Sequence, residues 1–393
     1  MKNEWSEETE ILLSGRDLNG LELHPDSPAI HPATAYVLRD TEHYGQAKIS
    51  GGYIYSRTAN PNRDELSDVI SRMERGEATI IHSSGMAAVS NVLLAFSRAG
   101  GHILANNSIY GETVEVLEHI LPRFGVEVSY ADFTNPTAVE KAVRPGTSML
   151  YSEIIANPLL TVIDPGAISA IAKQAGALFV VDSTFTTPFM IKPLEYGADI
   201  VIHSLTKFFG GHSDLTAGSV TCSAELMKRL RPEQRLLGGV CDPYTAWLAL
   251  RSIKTMGLRI EKHIRNAETL AEFLLQDGRV RQVNYPGLTT HPQHELAKQL
   301  FPKGCGPMIS FLVEDDLDKV NAFMRKLRLV EYLGTLGGCR TSIAHPATSF
   351  RAEFSTEELI RRGMREGLIR VSTGLENVHD LIADFSNALS VFD

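Results

Sequence analysis

The feature that most constrains this chain is an alternation. Short apolar runs read "HILA" (His102–Ala105), "VEVSY" (Val126–Tyr130), "SMLYSEI" (Ser148–Ile154), "LFVVDS" (Leu178–Ser183) and "DIVIHS" (Asp199–Ser204). Between and around them lie helical patterns at Leu66–Ala78, Met86–Ser97, Thr113–Leu121, Pro165–Ala175 and Glu225–Leu230. Runs this short and this apolar suit strands buried on both faces, and parallel neighbours need a crossover helix. The order predicts an α/β fold built on a mostly parallel sheet covered on both sides. The 393 residues are enough for two domains in one subunit. Residues 1–55 are rich in turn formers and read as an N-terminal arm, and 56–250 as the large α/β domain. A long helical pattern, Ala246–Gln276, leaves that domain as one continuous helix. Beyond it "PMISFLV", "LDKVNAFMRKL" and "LIRVS" predict a smaller α+β domain over 251–393.

Composition narrows the function by exclusion. Charged residues make up 22% of the chain, the net charge is −9, and neither end carries a block of Lys or Arg. A nucleic-acid partner is not expected. The four cysteines lie far apart, with no C-x-x-C pair and no histidine cluster at metal spacing. They read as free thiols in a reducing compartment, with no metal. The start, "MKNEWSEETEILLSGRD", lacks the basic-then-apolar layout of a signal peptide, and no run approaches a membrane span. A cytoplasmic protein is the expectation.

The chemistry concentrates after one of the apolar runs. "HSLTKFFGGHSDLTAG" (His203–Gly218) places Lys207 among Ser204, Thr206 and a Gly-Gly pair. In open α/β sheets ligands bind beyond the carboxyl ends of the strands. Asp182 ends a second run there, and Glu153 and Asn157 follow a third. A lysine acting as Schiff-base nucleophile, with an acid for a pyridinium nitrogen, is the protein side of pyridoxal phosphate chemistry. "HSSGMAAVSN" adds a Ser-Gly turn at Gly85 and Met86 that opens directly into a helix. Amides at such a helix start favour a phosphate.

These residues carry a resemblance. Over about residues 30–390 the chain resembles the Cys/Met-metabolism enzymes that use pyridoxal phosphate, of cystathionine γ-synthase, cystathionine γ-lyase and methionine γ-lyase type. "GADIVIHSLTKFFGGHSDLTAGSV" is its most specific piece. The resemblance implies the large fold of type I pyridoxal-phosphate enzymes with a smaller C-terminal α+β domain. It implies the cofactor bound to Lys207, Asp182 on the ring nitrogen, and phosphate contacts from Gly85, Met86, Ser204 and Thr206. "IYGET" implies that Tyr110 stacks on the ring and moves protons. "SEIIANP" implies that Asn157 touches the cofactor and Glu153 supports the site. "YIYSRTANPNRDEL" implies that Tyr55 and Arg57 complete a neighbouring subunit's phosphate site, and therefore a homodimer with shared active sites, usually paired into a tetramer. "GLIRVSTGLENVHDL" implies that Arg370 binds the carboxylate of an amino-acid substrate.

Two departures bear on the substrate. Gly334 stands where relatives carry a larger residue, next to Thr335 in "YLGTLGG", which widens the pocket. Glu112 in "YGET" replaces the Gly or Cys of relatives. A buried unpaired carboxylate is costly, so Glu112 either meets a cationic group on the substrate or points to solvent. The reading is a pyridoxal-phosphate γ-lyase that expels a Cγ heteroatom from an L-amino acid, with a cationic tail as in canavanine. The alternatives are a methionine or cystathionine γ-lyase, a γ-replacement synthase, and a cofactor binder without turnover. A nicotinamide dehydrogenase is disfavoured because no G-x-G-x-x-G follows the early strands.

Overall fold

The computed structural model describes residues 6–13, 26–351 and 355–393. The stretches 1–5 and 14–25 of the expected arm lie outside the described residues. Among the described residues twelve strands form two sheets. The first holds β1 (Ala78–His82), β2 (His102–Asn106), β3 (Glu127–Ala131), β4 (Thr147–Glu153), β5 (Leu178–Asp182), β6 (Ile200–Ser204) and β7 (Gly218–Cys222). Their order is β1-β7-β6-β5-β4-β2-β3. All neighbours from β6 to β3 run parallel, and β7 alone runs against both its neighbours.

Alternation along each strand explains the two covered faces, since successive side chains point to opposite sides. Leu104, Leu150, Phe179, Val181 and Val201 join one core with helices Pro61–Glu74, Pro165–Ala175 and Pro243–Ile253. Ile103, Met149, Val180, Ile200 and Ile202 join the other, with helices Gly85–Phe96 and Ala224–Leu237. The second sheet holds β8 (Gln282–Asn284), β9 (Met308–Leu312), β10 (Glu331–Tyr332), β11 (Ser342–Ala344) and β12 (Leu368–Ser372), ordered β10-β11-β12-β9-β8.

Four expectations need correction. Strands β1 and β7 were absent from the sequence reading. The pattern over Ala246–Gln276 is two helices, Pro243–Ile253 and Met256–Gln276, broken at Lys254 and Thr255. The break leaves the apolar spacing intact, so periodicity alone does not register it. The segment expected as a helix over Thr113–Leu121 begins as the α-helix Gly111–Glu115 and widens into a π-turn at Val116–Ile120. The weakly periodic start holds a helix at Thr41–Ser50, capped by Asp40 and closed by the left-handed Gly51. No helix among the described residues is long and apolar enough to cross a membrane.

Candidate active site

Three parallel strands end at the same edge of the sheet, β4 and β5 level with one another and β6 two residues further on. β4 stops at Glu153, β5 at Asp182 and β6 at Ser204, and Glu153 and Asp182 are direct partners across the β4–β5 ladder. Beyond these ends lies a cavity of about 390 Å³. Most of the predicted residues line it: Gly85, Met86, Tyr110, Glu112, Glu153, Asn157, Asp182, Ser204, Thr206, Lys207, Gly334 and Arg370. Thr335 meets it through a hydrogen bond, accepting from Lys207 Nζ at 3.0 Å.

Lys207 has a fixed root. Thr206 donates its backbone N–H and its hydroxyl to the Ala217 carbonyl and accepts from the Ala217 N–H, which joins the exit of β6 to the entry of β7. The Gly211 N–H returns to the Lys207 carbonyl at 2.7 Å. Behind this turn the buried Arg259 donates to the carbonyls of Phe208 at 2.8 Å, Phe209 at 3.3 Å and Ser252 at 3.0 Å. Burial lowers the affinity of the Lys207 amine for its proton, Arg370 adds to the effect, and Glu112 opposes it. A lysine in this state is readier to act as a nucleophile or base.

The end of the cavity at Gly85, the expected phosphate site, is shaped by close approach. A Cβ built on Gly85 would lie 2.8 Å from Ser204 Cβ and 2.9 Å from its Oγ, so only glycine fits. Ser84 caps the helix Gly85–Phe96, accepting from the Ala87 N–H at 3.0 Å. The free amides of the first turn then face a pocket floored by the Ser204 and Thr206 side chains.

The opposite wall is acidic. Glu153 is buried and Asp182 half-buried, and burial pushes both carboxyls up, with the neighbouring Asp182 charge adding to the rise at Glu153. The Thr184 N–H donates to Asp182 at 2.9 Å, and the Thr184 hydroxyl accepts from the Ser204 N–H at 2.8 Å. Glu153 accepts from the Tyr110 N–H at 2.6 Å, which anchors the start of the helix Gly111–Glu115. The Tyr110 ring is 40% exposed. Its hydroxyl is raised above the usual phenol range by burial, by the charge of Glu112 and by a hydrogen bond to Glu112. Glu112 therefore stands exposed at the cavity mouth while lining it.

Arg370 arrives from the second sheet, on β12. It donates to Asn157 Oδ1 at 3.4 Å and to the Thr335 carbonyl at 3.1 Å, and its buried Nε has no partner. Burial lowers its pKa to about 10. A guanidinium held this way has neutral partners only, so its charge is left for an incoming carboxylate, with further N–H groups still to offer. A Cβ on Gly334 would meet nothing within 4 Å, so the cavity is open at that wall.

The donor set fits pyridoxal phosphate. Two acids paired across neighbouring strand ends call for a positive group, which a protonated ring nitrogen is. The Gly85 cradle leaves room for backbone approach to a phosphate, and Lys207 sits between the two ends. Tyr55 and Arg57 are not part of this cavity. Tyr55 is 42% exposed, and Arg57 lies over its ring at 5.6 Å and donates to the Arg235 carbonyl at 2.6 Å. The sequence reading missed Thr184, Phe185, Thr216 and Leu336, which also line the cavity. Thr184 had a local signal, two positions after Asp182; the others are set by the fold alone.

Comparison with known proteins agrees with the geometry. The family described as Cys/Met metabolism PLP-dependent enzyme matches residues 8–390. Cystathionine gamma-lyase of Bacillus subtilis (strain 168) is 43% identical over 339 residues, covering 86% of this chain and 89% of that protein. L-methionine gamma-lyase of Fusobacterium nucleatum subsp. polymorphum is 38% identical over 365 residues, covering 92% of each. The crystal structure of cystathionine gamma synthase from Xanthomonas oryzae pv. oryzae in complex with cystathionine superimposes with a TM-score of 0.94 at 34% identity, over 99% of each chain.

Proposed function

Since this chain belongs to the Cys/Met-metabolism PLP-dependent enzyme family, an enzyme family of γ-lyase and γ-synthase type that uses pyridoxal phosphate, we propose that it catalyses γ-elimination on an L-amino acid whose tail is cationic. Canavanine is the concrete substrate. The observation that carries the reading is Glu112, a carboxylate on the cavity wall beside the Tyr110 hydroxyl, in a cavity that Gly334 leaves open at another wall. A guanidinium-type tail would take the carboxylate as a fork and use the space Gly334 leaves.

Each residue then has a task. Lys207, Asp182 and the Gly85–Met86 turn with Ser204 and Thr206 hold the cofactor, and Asn157 contacts its ring. Pyridoxal phosphate, when bound, supplies an electron sink for a carbanion at Cα. Arg370 binds the substrate carboxylate and orients Cα over Lys207. The lysine amine, with its lowered proton affinity, takes and returns the protons on Cα and Cβ. Tyr110 stays protonated and gives its proton to the heteroatom leaving Cγ. Thr335 steadies the lysine amine between transfers. The net reaction consumes one water and releases the protonated leaving group, ammonium and a 2-oxo acid.

The exposed Tyr55 and Arg57, outside their own cavity, support a dimer in which they complete the partner's phosphate site.

The test is a panel of γ-substituted amino acids, canavanine, methionine and cystathionine, with and without added thiol, scored for 2-oxo acid, homoserine and replacement product. Oxo acid from canavanine at higher kcat/KM than from methionine supports the reading. Inert canavanine returns the sulfur amino acids to first place, and a thiol-dependent replacement product makes the enzyme a synthase.

A further inference from the structure

Tyr110 and Glu112 both face the cavity, and the residue between them faces away from it. Gly111 lines a second cavity of about 480 Å³ on the far side of the same short helix, together with Val114, Pro158 and Phe350. Gly111 is buried although Tyr110 and Glu112 on either side are exposed. Its φ is not positive, so backbone conformation does not require glycine. Space does. A Cβ built there would overlap Phe350 Cε1 and lie 3.1 Å from Cδ1 and 3.4 Å from Cζ. The phenyl ring is seated on the glycine backbone.

Phe350 comes from the other end of the chain. It follows the helix Pro346–Ser349, and its N–H closes onto the Pro346 carbonyl at 3.0 Å. His345 caps that helix and reaches the Glu366 carbonyl at 2.7 Å, so the ring is carried on a braced turn. The helix it presses on has little stiffness of its own. Gly111–Glu115 has five residues, no side-chain cap, and runs into a π-turn. Isolated turns of that length do not hold an orientation without tertiary packing. Val114 ties the far end of this helix into the core shared with the helix Gly85–Phe96, and its start is held by two contacts, Glu153 on the Tyr110 N–H from the cavity side and Phe350 on Gly111 from the other.

We propose that Phe350 is a positioning residue, whose ring on Gly111 sets how far the Tyr110 hydroxyl and the Glu112 carboxylate reach into the active site. It touches neither substrate nor cofactor, and its effect on selectivity rests on the reading of Tyr110 and Glu112 given above. The ring and the glycine form a matched pair, so a change on one side is answered by a compensating change on the other.

The experiment compares Phe350→Ala, Gly111→Ala, the double variant and Phe350→Tyr in the cofactor-loaded enzyme. The readouts are kcat and KM for canavanine and for methionine, the visible band of the bound cofactor, and the thermal midpoint. Gly111→Ala forces the helix inward and is expected to lower kcat/KM on the order of 100-fold, the scale of an ångström-sized misplacement. Phe350→Ala lets the helix drift and is expected to lower kcat/KM for canavanine about tenfold, with a smaller loss for methionine, by the same orientation argument. The cofactor band stays unchanged, and Phe350→Tyr behaves as wild type. Adding Phe350→Ala to Gly111→Ala restores activity toward the Phe350→Ala level. If Gly111→Ala does not fold, Phe350→Ala carries the test alone, through its unequal losses on canavanine and methionine.

Multiplicative losses in the double variant, or wild-type kinetics of Phe350→Ala on both substrates, overturn the proposal. Canavanine inert in every protein, with the rescue seen on methionine, defeats the cationic-tail reading and still supports the matched pair.

Discussion

Glu112→Gln removes a charge while keeping the shape and the acceptor that the Tyr110 hydroxyl uses. Glu112 lines the cavity yet is exposed, and it acts electrostatically on both Tyr110 and Lys207. A guanidinium about 4 Å from a carboxylate gains about 1 kcal/mol in water and about 4 at the effective dielectric of a protein surface. A carboxylate open to solvent belongs below the upper figure, so roughly 1–3 kcal/mol is at stake. The canavanine-to-methionine ratio of kcat/KM should therefore fall by about 5- to 150-fold in Glu112→Gln. Salt provides an internal control. The wild-type preference should shrink as ionic strength rises and the Debye length drops from about 10 Å at 0.1 M to about 3 Å at 1 M, while the variant's preference changes little. Any contribution of Glu112 through Tyr110 affects both substrates and cancels in the ratio. An unchanged ratio, with both substrates slowed alike, refutes the selector and leaves Glu112 as a partner of Tyr110 only.

Lys207→Ala should fold with an unchanged thermal midpoint and lose turnover, while pyridoxal phosphate still binds noncovalently through the Gly85–Ser204 cradle; wild-type steady-state rates would sink the mechanism. Inactive Arg57→Ala mixed with inactive Lys207→Ala should recover activity once subunits exchange, because some dimers then hold one site with both wild-type residues. Demonstrated exchange without recovery removes the shared site. His82, buried at the end of β1, has its pKa pushed down to about 4 by burial. Its folded value lies below the ordinary 6.5, so its contribution is complete above pH 6.5 and is lost as pH falls from there toward 4. Relative to wild type, His82→Asn should flatten the loss of stability between pH 7.5 and 5 by about 2 kcal/mol, read from urea midpoints, and parallel pH profiles for the two proteins contradict this.

The strands that carry the site were legible because each is a short apolar run ending in a polar residue. Asp182 and Ser204 close β5 and β6 at the positions where the sequence changes character. Lys207 was singled out by its hydroxyl and glycine company, and Arg370 by the family resemblance of "GLIRVSTGLENVHDL". Strand β1 was hidden because "ATIIH" directly follows a helix and has no turn signal beyond Gly76. Strand β7 was hidden inside the lysine segment, where "GSVTC" alternates weakly. The π-turn at Val116–Ile120 keeps apolar residues near helical spacing, so its extra width leaves no mark on the pattern. Glu112 was ambiguous for a different reason. Whether a side chain at a helix start faces a cavity depends on what packs behind it, and Phe350 lies far away in the chain. The hydrogen bond from Lys207 to Thr335 and the seating of Phe350 on Gly111 are contacts of this kind, which no local window contains.

The turn that roots Lys207 has a kinetic consequence. Thr206 is bonded to Ala217 in both directions, the Lys207 carbonyl is held by the Gly211 N–H, and Arg259 fastens the next two carbonyls. The backbone has nowhere to go, so the amine travels only as far as its own four-carbon stem allows. The γ-elimination proposed for this site removes one proton and replaces another, and needs the same base several times in one turnover. A base captive on so short a leash never has to be recruited again, and its local concentration at Cα and Cβ exceeds anything solution can supply.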